Sequence, residues 1–369
     1  MSNRCSRTLI VATNSPVTWL EESVCAGKHQ RVDYLELANR FGSRHVDYAI
    51  VRHNPLLRHL EDLLRMDLRL AWQVVQLIKR EQYQAVISLS ERVGIPLALL
   101  LPRQTRHLVI FHHGMSQQKL RLIKGLGLQR RWDMIAAISR AEANGMRQAL
   151  ALPAERVVPL HTPVDPTFFQ PQPTERPASV VQSLGLSHRD YATFIEAMRR
   201  LPHIPCHLCI GSSWVQGKVG YKGQKLPDNI SLQPFVPPDQ LRNCYMESRM
   251  IVVPIKASTQ WSAGCTSVQV AQAMGRPVIA TRRPGLSEYV VEGETALLVE
   301  PNNPEQMAAA IAALWDNPDR ADAMGRAGRR LMEKPFTIDQ WLPRVTELVE
   351  LMTANTYCNK EKTMNAGIQ

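Results

Sequence analysis

The stretch 254–301, PIKASTQWSAGCTSVQVAQAMGRPVIATRRPGLSEYVVEGETALLVEP, decides how the rest of this 369-residue chain is read. It spells a loop, a helix, a tight turn, a buried strand, a second loop, a short helix, a turn and a final strand. Small and hydroxylated residues, Ala263 to Ser267, stand where the first helix must begin, and Thr266 or Ser267 suits its cap. Gly264 lets a ligand come close to the first amides of that helix. Those amides and the helix dipole both attract an anion, so a phosphate site is the natural reading. Gly275 suits the end of the helix, and Pro277–Thr281 is a short apolar run fit for an interior parallel strand. The pattern predicts half of a nucleotide-handling α/β domain.

The same alternation extends on both sides. Upstream within the same half come a strand ending near Leu184, a helix over Tyr191–Arg200, and strands at His207–Ile210, Ile230–Gln233 and Met250–Pro254. A loop rich in Gly and Lys, 211–223, interrupts them. Downstream, Asn303-Pro304 gives a cap and a first-turn proline for a helix over Glu305–Trp315. The N-terminal half offers strands at Thr8–Thr13, His45–Val51, Ala85–Leu89, His107–Phe111, Met134–Ile138 and Val157–Leu160, with helices over Leu57–Glu81 and Ala141–Ala151. The Pro-rich segment 161–179 reads as a linker. Strand–helix alternation in both halves predicts two doubly wound parallel sheets with a ligand in a cleft between them.

The composition, 44% hydrophobic and 21% charged, is that of an ordinary folded protein. No run approaches the roughly 20 apolar residues of a membrane span, and Leu9–Ala12 is too short for a signal peptide. Seven cysteines show no secreted-domain spacing, and Cys206-x-x-Cys209 lacks a second pair for zinc, so reduced thiols are expected. A net charge of +11 suits phosphate-bearing ligands or a membrane surface, and no nucleic-acid-binding pattern accompanies it. The basic stretch Lys119–Arg131, KLRLIKGLGLQRR, reads either as a solvated face or as a peripheral membrane contact. The expectation is a cytoplasmic protein, able to work at the inner face of a membrane.

AQAMGRPVIAT, PGLSEYV and GETALLVEP, in that order within 254–301, resemble the donor-binding core of the family 4 retaining glycosyltransferases of the GT-B fold. The resemblance implies an acceptor-binding Rossmann-like domain over 1–170 and a nucleotide-sugar donor domain over 171–335. A helix at 336–354 would return to the first domain, before a disordered tail at 355–369. It implies a hexosyltransferase moving a sugar from a nucleotide diphosphate sugar to a hydroxyl acceptor with retention, in glycan, polysaccharide or glycolipid synthesis. No metal and no cofactor are implied, since the nucleotide sugar is a substrate.

The resemblance also assigns residues. SLGLSHRDYATFIEAM at 183–198 is similar to the family segment that opens the donor domain, with Gly185 beside the ligand and Arg189 on the donor diphosphate. A guanidinium can fork two phosphate oxygens; the plainer reading pairs Arg189 with Asp190 at the surface. The family's second basic residue is displaced, leaving Lys256 as a substitute. In HLVIFHHGMSQQK at 107–119, His113 matches the family histidine that orients the sugar, with His112 as the alternative. Glu288 matches the carboxylate of the Gly-x-x-Glu loop, with Ser287 capping its short helix, although the helix dipole alone also favours an acid there. Gly264, Cys265, Thr266 and Ser267 complete the donor contacts, and Asp165 reads as a turn former.

One departure stands out. Ser262 and Val270 occupy the positions of the family's two glutamates, and valine cannot accept a hydrogen bond from a ribose. Gln269 lies about 100° round the helix from position 270. Either Gln260 or Ser262 holds the ribose, or the donor is unusual, or the chain is a catalytically weakened nucleotide-binding partner or sensor.

Overall fold

The computed structural model describes residues 8–14, 19–112, 117–172, 178–185, 187–210, 225–234, 238–258 and 261–365. The chain divides into two compact units. The first comprises Met1–Glu21, Val32–His161 and Asp339–Gln369, the second Glu22–Arg31 and Thr162–Ile338.

The first unit carries six strands: β1 (Thr8–Val11), β2 (His45–Val46), β3 (Ala85–Ser88), β4 (Arg106–Phe111), β5 (Met134–Ala137) and β6 (Val157–Pro159). Every pairing is parallel, in the order β2-β1-β3-β4-β5-β6. Short Val/Ile/Leu runs suit such a sheet because helical crossovers cover both faces and leave few positions for polar residues. Register places Val11, Ser88, Val109, Ile135 and Val157 in one row across five strands, and so on one face.

Two polar groups interrupt that apolar face. Ser88 and His107, both fully buried, meet through a 2.7 Å hydrogen bond between Oγ and Nε2. Burial, helped by Arg131, holds the imidazole far below its ordinary 6.5, down to about 3. A histidine whose folded-state value is depressed stabilises the fold while neutral; that contribution is complete above 6.5 and is lost as pH falls towards 3. Between about pH 7 and pH 5 this group is expected to remove about 2 kcal/mol of stability. Urea unfolding at the two pH values checks it: His107→Gln keeps a hydrogen-bonding side chain and should flatten the dependence, and an unchanged slope would exclude His107 as its source.

Two expected elements differ. The strand reading of His45–Val51 holds only for His45–Val46, because the Asp47 carboxylate accepts from the Ala49 amide at 2.8 Å and starts a 3₁₀ turn over Tyr48–Ile50. The single helix expected over Leu57–Glu81 is two, Pro55–Leu64 and Leu68–Glu81. Arg65 takes a left-handed conformation at the break, while Met66 and Asp67 turn inward. The Glu61 carboxylate accepts the Arg69 amide at 2.6 Å, and Asp67 pairs with Arg92 at 2.9 Å. These bonds fix a corner that hydrophobic periodicity runs straight through.

The second unit carries β7 (Val180–Leu184), β8 (Cys206–Cys209), β9 (Ile230–Gln233), β10 (Ser248–Val253), β11 (Val278–Thr281) and β12 (Ala296–Val299). All pair in parallel, in the order β12-β11-β10-β7-β8-β9. Val181, Leu208, Val252 and Ile279 pack with Phe194 and Met198 of the Tyr191–Arg199 helix and with Ile311 and Leu314 of the Pro304–Trp315 helix. As the sequence predicts, Asn303 caps that last helix, accepting from the Gln306 amide at 2.9 Å. Asp165 forms the expected turn, taking the Thr167 and Phe168 amides at 3.1 Å each. The chain's final helix runs over Ile338–Asn365.

Candidate active site

In the second sheet, the chain leaves β7 towards one edge and β10 towards the other. The loops beyond their C-terminal ends are therefore pushed apart and leave a crevice, the usual ligand position in an open α/β sheet. Here the two loops are also stitched together. Asp190 donates its amide to the Pro254 carbonyl at 2.9 Å, and Lys256 donates to the His188 carbonyl at 3.0 Å, around an antiparallel bridge between Arg189 and Ile255. His188 sits at φ 56° to allow this, a strained setting for a residue with a side chain.

Arg189 lies at the centre, only 7% exposed. Its Nε donates to the Leu184 carbonyl and its Nη1 to the Ser187 carbonyl, both at 3.1 Å, and its Nη2 reaches Ser267 Oγ at 2.6 Å. Gly185, at φ 113°, makes room: a Cβ there would stand 2.7 Å from Nη2. The pairing with Asp190 does not occur, because Asp190 instead caps the Tyr191–Arg199 helix through the Thr193 amide at 3.2 Å. Among the described residues no carboxylate forms an ion pair with Arg189. Burial lowers its pKa, and Tyr191, Tyr245 and Cys265 only partly oppose this. A guanidinium stays charged all the same, so this is a buried cation held by dipoles alone.

The helix starting at Cys265 faces the same place. Its cap is Gly264 at φ 86°, not Thr266 or Ser267 as the sequence suggests. A side chain at 264 would strike Ile255 and Val253, its Cβ falling 2.8 and 2.9 Å from their atoms, so the helix start rests directly on the end of β10. Glycine brings no side chain to the first-turn amides, and the Ser267 hydroxyl is turned to Arg189. The first turn contains no acid. A guanidinium beside a helix N-terminus is the unfavourable sign for the dipole, and an anion between them reverses that.

The remaining candidates take definite places. Ser262 is buried, and its carbonyl accepts the Cys265 amide at 3.2 Å. Cys265 is buried, Thr266 exposed and Ser267 half-buried. The Lys256 side chain is exposed just past the bridge. Glu288, half-buried, lies in a 3₁₀ turn over Leu286–Tyr289 capped by Gly285, so Ser287 sits inside the turn instead of capping it. The Leu286 amide ties that turn to the Trp261 carbonyl at 3.0 Å, and Arg283 reaches the Ser258 carbonyl. Val270 is buried, and Gln269 spends both ends of its amide on Thr162, at 2.7 and 2.8 Å. Gln260 and His113 lie outside the described residues.

His112, in the first unit, directly follows β4 and is half-buried, its amide donating to Glu91 Oε2 at 3.3 Å. Burial raises the Asp33 carboxyl above its ordinary value, and His112 is the neighbour that opposes this most. Asp33 was not legible as a partner, being the first residue of a helix far away in sequence. Tyr191, whose hydroxyl donates to the Gly185 carbonyl, was likewise unmarked. Among the described residues no three of His, Cys, Asp and Glu converge as a metal site, and no helix is long and apolar enough to cross a membrane.

Two family models cover most of the chain between them. Residues 24–168 match Glycosyltransferase Family 4 and residues 169–331 match Glycosyl transferases group 1. A D-inositol 3-phosphate glycosyltransferase from Segniliparus rotundus is 28% identical over 65% of this chain and 58% of its own length. Another, from Catenulispora acidiphila, is 30% identical over 53% of each. The chain thus spans a little over half the length of these relatives. Among solved structures, a sucrose-phosphate synthase from Thermosynechococcus elongatus superposes with a TM-score of 0.71 at 16% identity, covering 95% of this chain and 100% of that one. Anabaena HepE in complex with UDP-glucose gives 0.66 at 15%, covering 93% and 99%. These likenesses are of fold, and the fold is GT-B.

Proposed function

The chain belongs to glycosyltransferase family 4, and from that premise we propose that it transfers a hexose from a nucleoside diphosphate sugar to a hydroxyl acceptor, with retention. The observation that carries this is the buried Arg189, without a carboxylate partner among the described residues and set against an open helix N-terminus. Two positive elements converging in low dielectric need an anion with at least two oxygens, which a diphosphate supplies. Arg189 and the Thr266 and Ser267 amides at the start of the Cys265–Ala273 helix would hold the departing diphosphate and stabilise its growing charge. Glu288, on the adjoining turn, suits the sugar hydroxyls. Uridine is the base we favour, after HepE, and inositol phosphate belongs in the acceptor panel after the relatives' names.

A weakened, nucleotide-sensing member is the second reading, favoured by one observation. Val270 is buried and Gln269 is committed to Thr162, so neither offers a ribose acceptor. Calorimetry with uridine and guanosine diphosphates tests the donor site, and absence of binding by either would end both readings. Turnover then divides them. Acceptor-free hydrolysis of labelled UDP-sugars, or transfer to an added acceptor, is expected of the enzyme; tight binding with neither would establish the sensor.

A further inference from the structure

The Pro55–Leu64 helix is exposed along its whole length except at one position. Its buried residue is Glu61, whose carboxylate takes the amide and the guanidinium of Arg69 at 2.6 and 2.8 Å. Leu56, Leu57, Leu60, Leu63 and Leu64 are all exposed, Leu56 at 84% and Leu63 at 73%. At 3.6 residues per turn these positions fall within an arc of about 120°. Single exposed leucines are ordinary, whereas five along one stripe mark a surface that something covers.

The surroundings of the stripe say what kind of surface covers it. The Lys119 ammonium donates to the Arg65 carbonyl at 3.3 Å, tying the Gln117–Gly125 helix to the end of the leucine helix. On and just beyond that second helix Leu122 and Leu126 are 40% and 55% exposed, with Arg121 and Lys124 exposed among them. Residues 117–131 contain no acid at all. Arg52, at the foot of the leucine helix, shares a groove of about 370 Å³ with Arg44, Arg80 and Trp72, and that indole is 53% exposed.

We propose that the Pro55–Leu64 helix and the basic segment 117–131 together form a docking surface for an anionic lipid bilayer. The leucines enter the headgroup–acyl boundary and the arginines and lysines meet lipid phosphates, with Trp72 suited to the interfacial zone. A second copy of the chain fits less well, since it would set one cation-rich rim against another. The sequence alone points only to Lys119–Arg131 and leaves the leucines unassigned, because their exposure depends on how little of this helix the rest of the unit covers. The inference is independent of the donor site, which lies on the other unit.

The test is co-sedimentation of the full chain with vesicles of phosphatidylglycerol and phosphatidylcholine, and of phosphatidylcholine alone. Binding is expected to the anionic vesicles at low ionic strength, and to fall at least about tenfold in their uncharged counterparts or in high salt. Leu56→Glu combined with Leu63→Glu should lose about tenfold or more of that binding. Both side chains are largely exposed, so melting temperature and uridine diphosphate binding should stay unchanged. Arg121→Glu with Lys124→Glu should weaken binding and flatten its salt dependence. The proposal falls if the wild type stays in the supernatant with both vesicle types, or if the double-leucine variant binds like the wild type. It falls equally if light scattering shows a leucine-dependent dimer that vesicles do not compete away. Failed vesicle binding with retained nucleotide binding would remove this inference alone.

Discussion

Arg189→Ala should bind uridine diphosphate at least about a hundredfold more weakly than the wild type, a loss of roughly 3 kcal/mol. The guanidinium is the one buried cation of the donor crevice with no described carboxylate, so a diphosphate placed there would replace solvent that the protein has already excluded. Truncation removes two or more charge-assisted bonds to the ligand at once. The effect on the empty protein should be far smaller. Three bonds, to Leu184, Ser187 and Ser267, are lost, but so is the desolvation cost of the charge. Thermal melting separates the two terms: the wild type should gain stability with added nucleotide and the variant should gain none, while their nucleotide-free transitions lie close together. Arg189→Lys keeps the charge without the fork and should fall between them. Calorimetry showing Arg189→Ala within about threefold of wild type would remove the assignment of the diphosphate to this residue.

Gly325→Ala should destabilise the second unit by about 3 kcal/mol, although helix propensity predicts a gain of about 1 kcal/mol for the same change. Gly325 lies in the Pro318–Met332 helix, and a Cβ there would come 2.1 Å from the Gly275 carbonyl oxygen and 2.9 Å from its carbon. Backbone cannot swing aside as a side-chain end can, so the helix or the turn must move. Gly275 itself, at φ 66°, ends the Cys265–Ala273 helix whose other end faces the donor crevice. Displacing it should therefore also weaken nucleotide binding. Gly125→Ala is the contrast, for a Cβ there meets nothing within 4 Å and should be neutral or mildly stabilising. Urea unfolding of both variants checks the pair, and a neutral Gly325→Ala would mean that the two helices are less tightly packed than described.

Much of the donor half was readable because its signals are local. Gly275 followed by Pro277-Val278-Ile279 needs only a left-handed turn and an interior strand, and both appear. Asn303-Pro304 and Asp165 behaved as cap and turn for the same reason. The site was legible in its residues more than in its bonds. Ser267 stood at the right place, yet its hydroxyl serves Arg189 and the cap falls to Gly264, because the helix start packs on Val253 and Ile255 too closely for a side chain. Ser287 is not the cap, through a shift of register: the turn begins at Leu286 and its cap, Gly285, lies two residues before Ser287. Gln269 lies about 100° round the helix from position 270, and its bonds go to Thr162, 107 positions away, a pairing no local pattern shows.

Local pattern alone was enough to specify two parallel α/β halves, nearly all of their strands, and a basic residue before the Tyr191–Arg199 helix. Periodicity, turn chemistry and apolar run length act over a few residues, and a parallel sheet needs little else to be recognised. Which polar groups are buried, and which apolar ones are not, depends instead on long-range packing. Arg189 became a buried cation because the loop after β10 pairs across it without bringing an acid. The Pro55–Leu64 helix buries only Glu61, held by Arg69 across the next corner, and leaves all five of its leucines exposed. Desolvation depends on everything that comes to surround a group, and no local pattern carries that information.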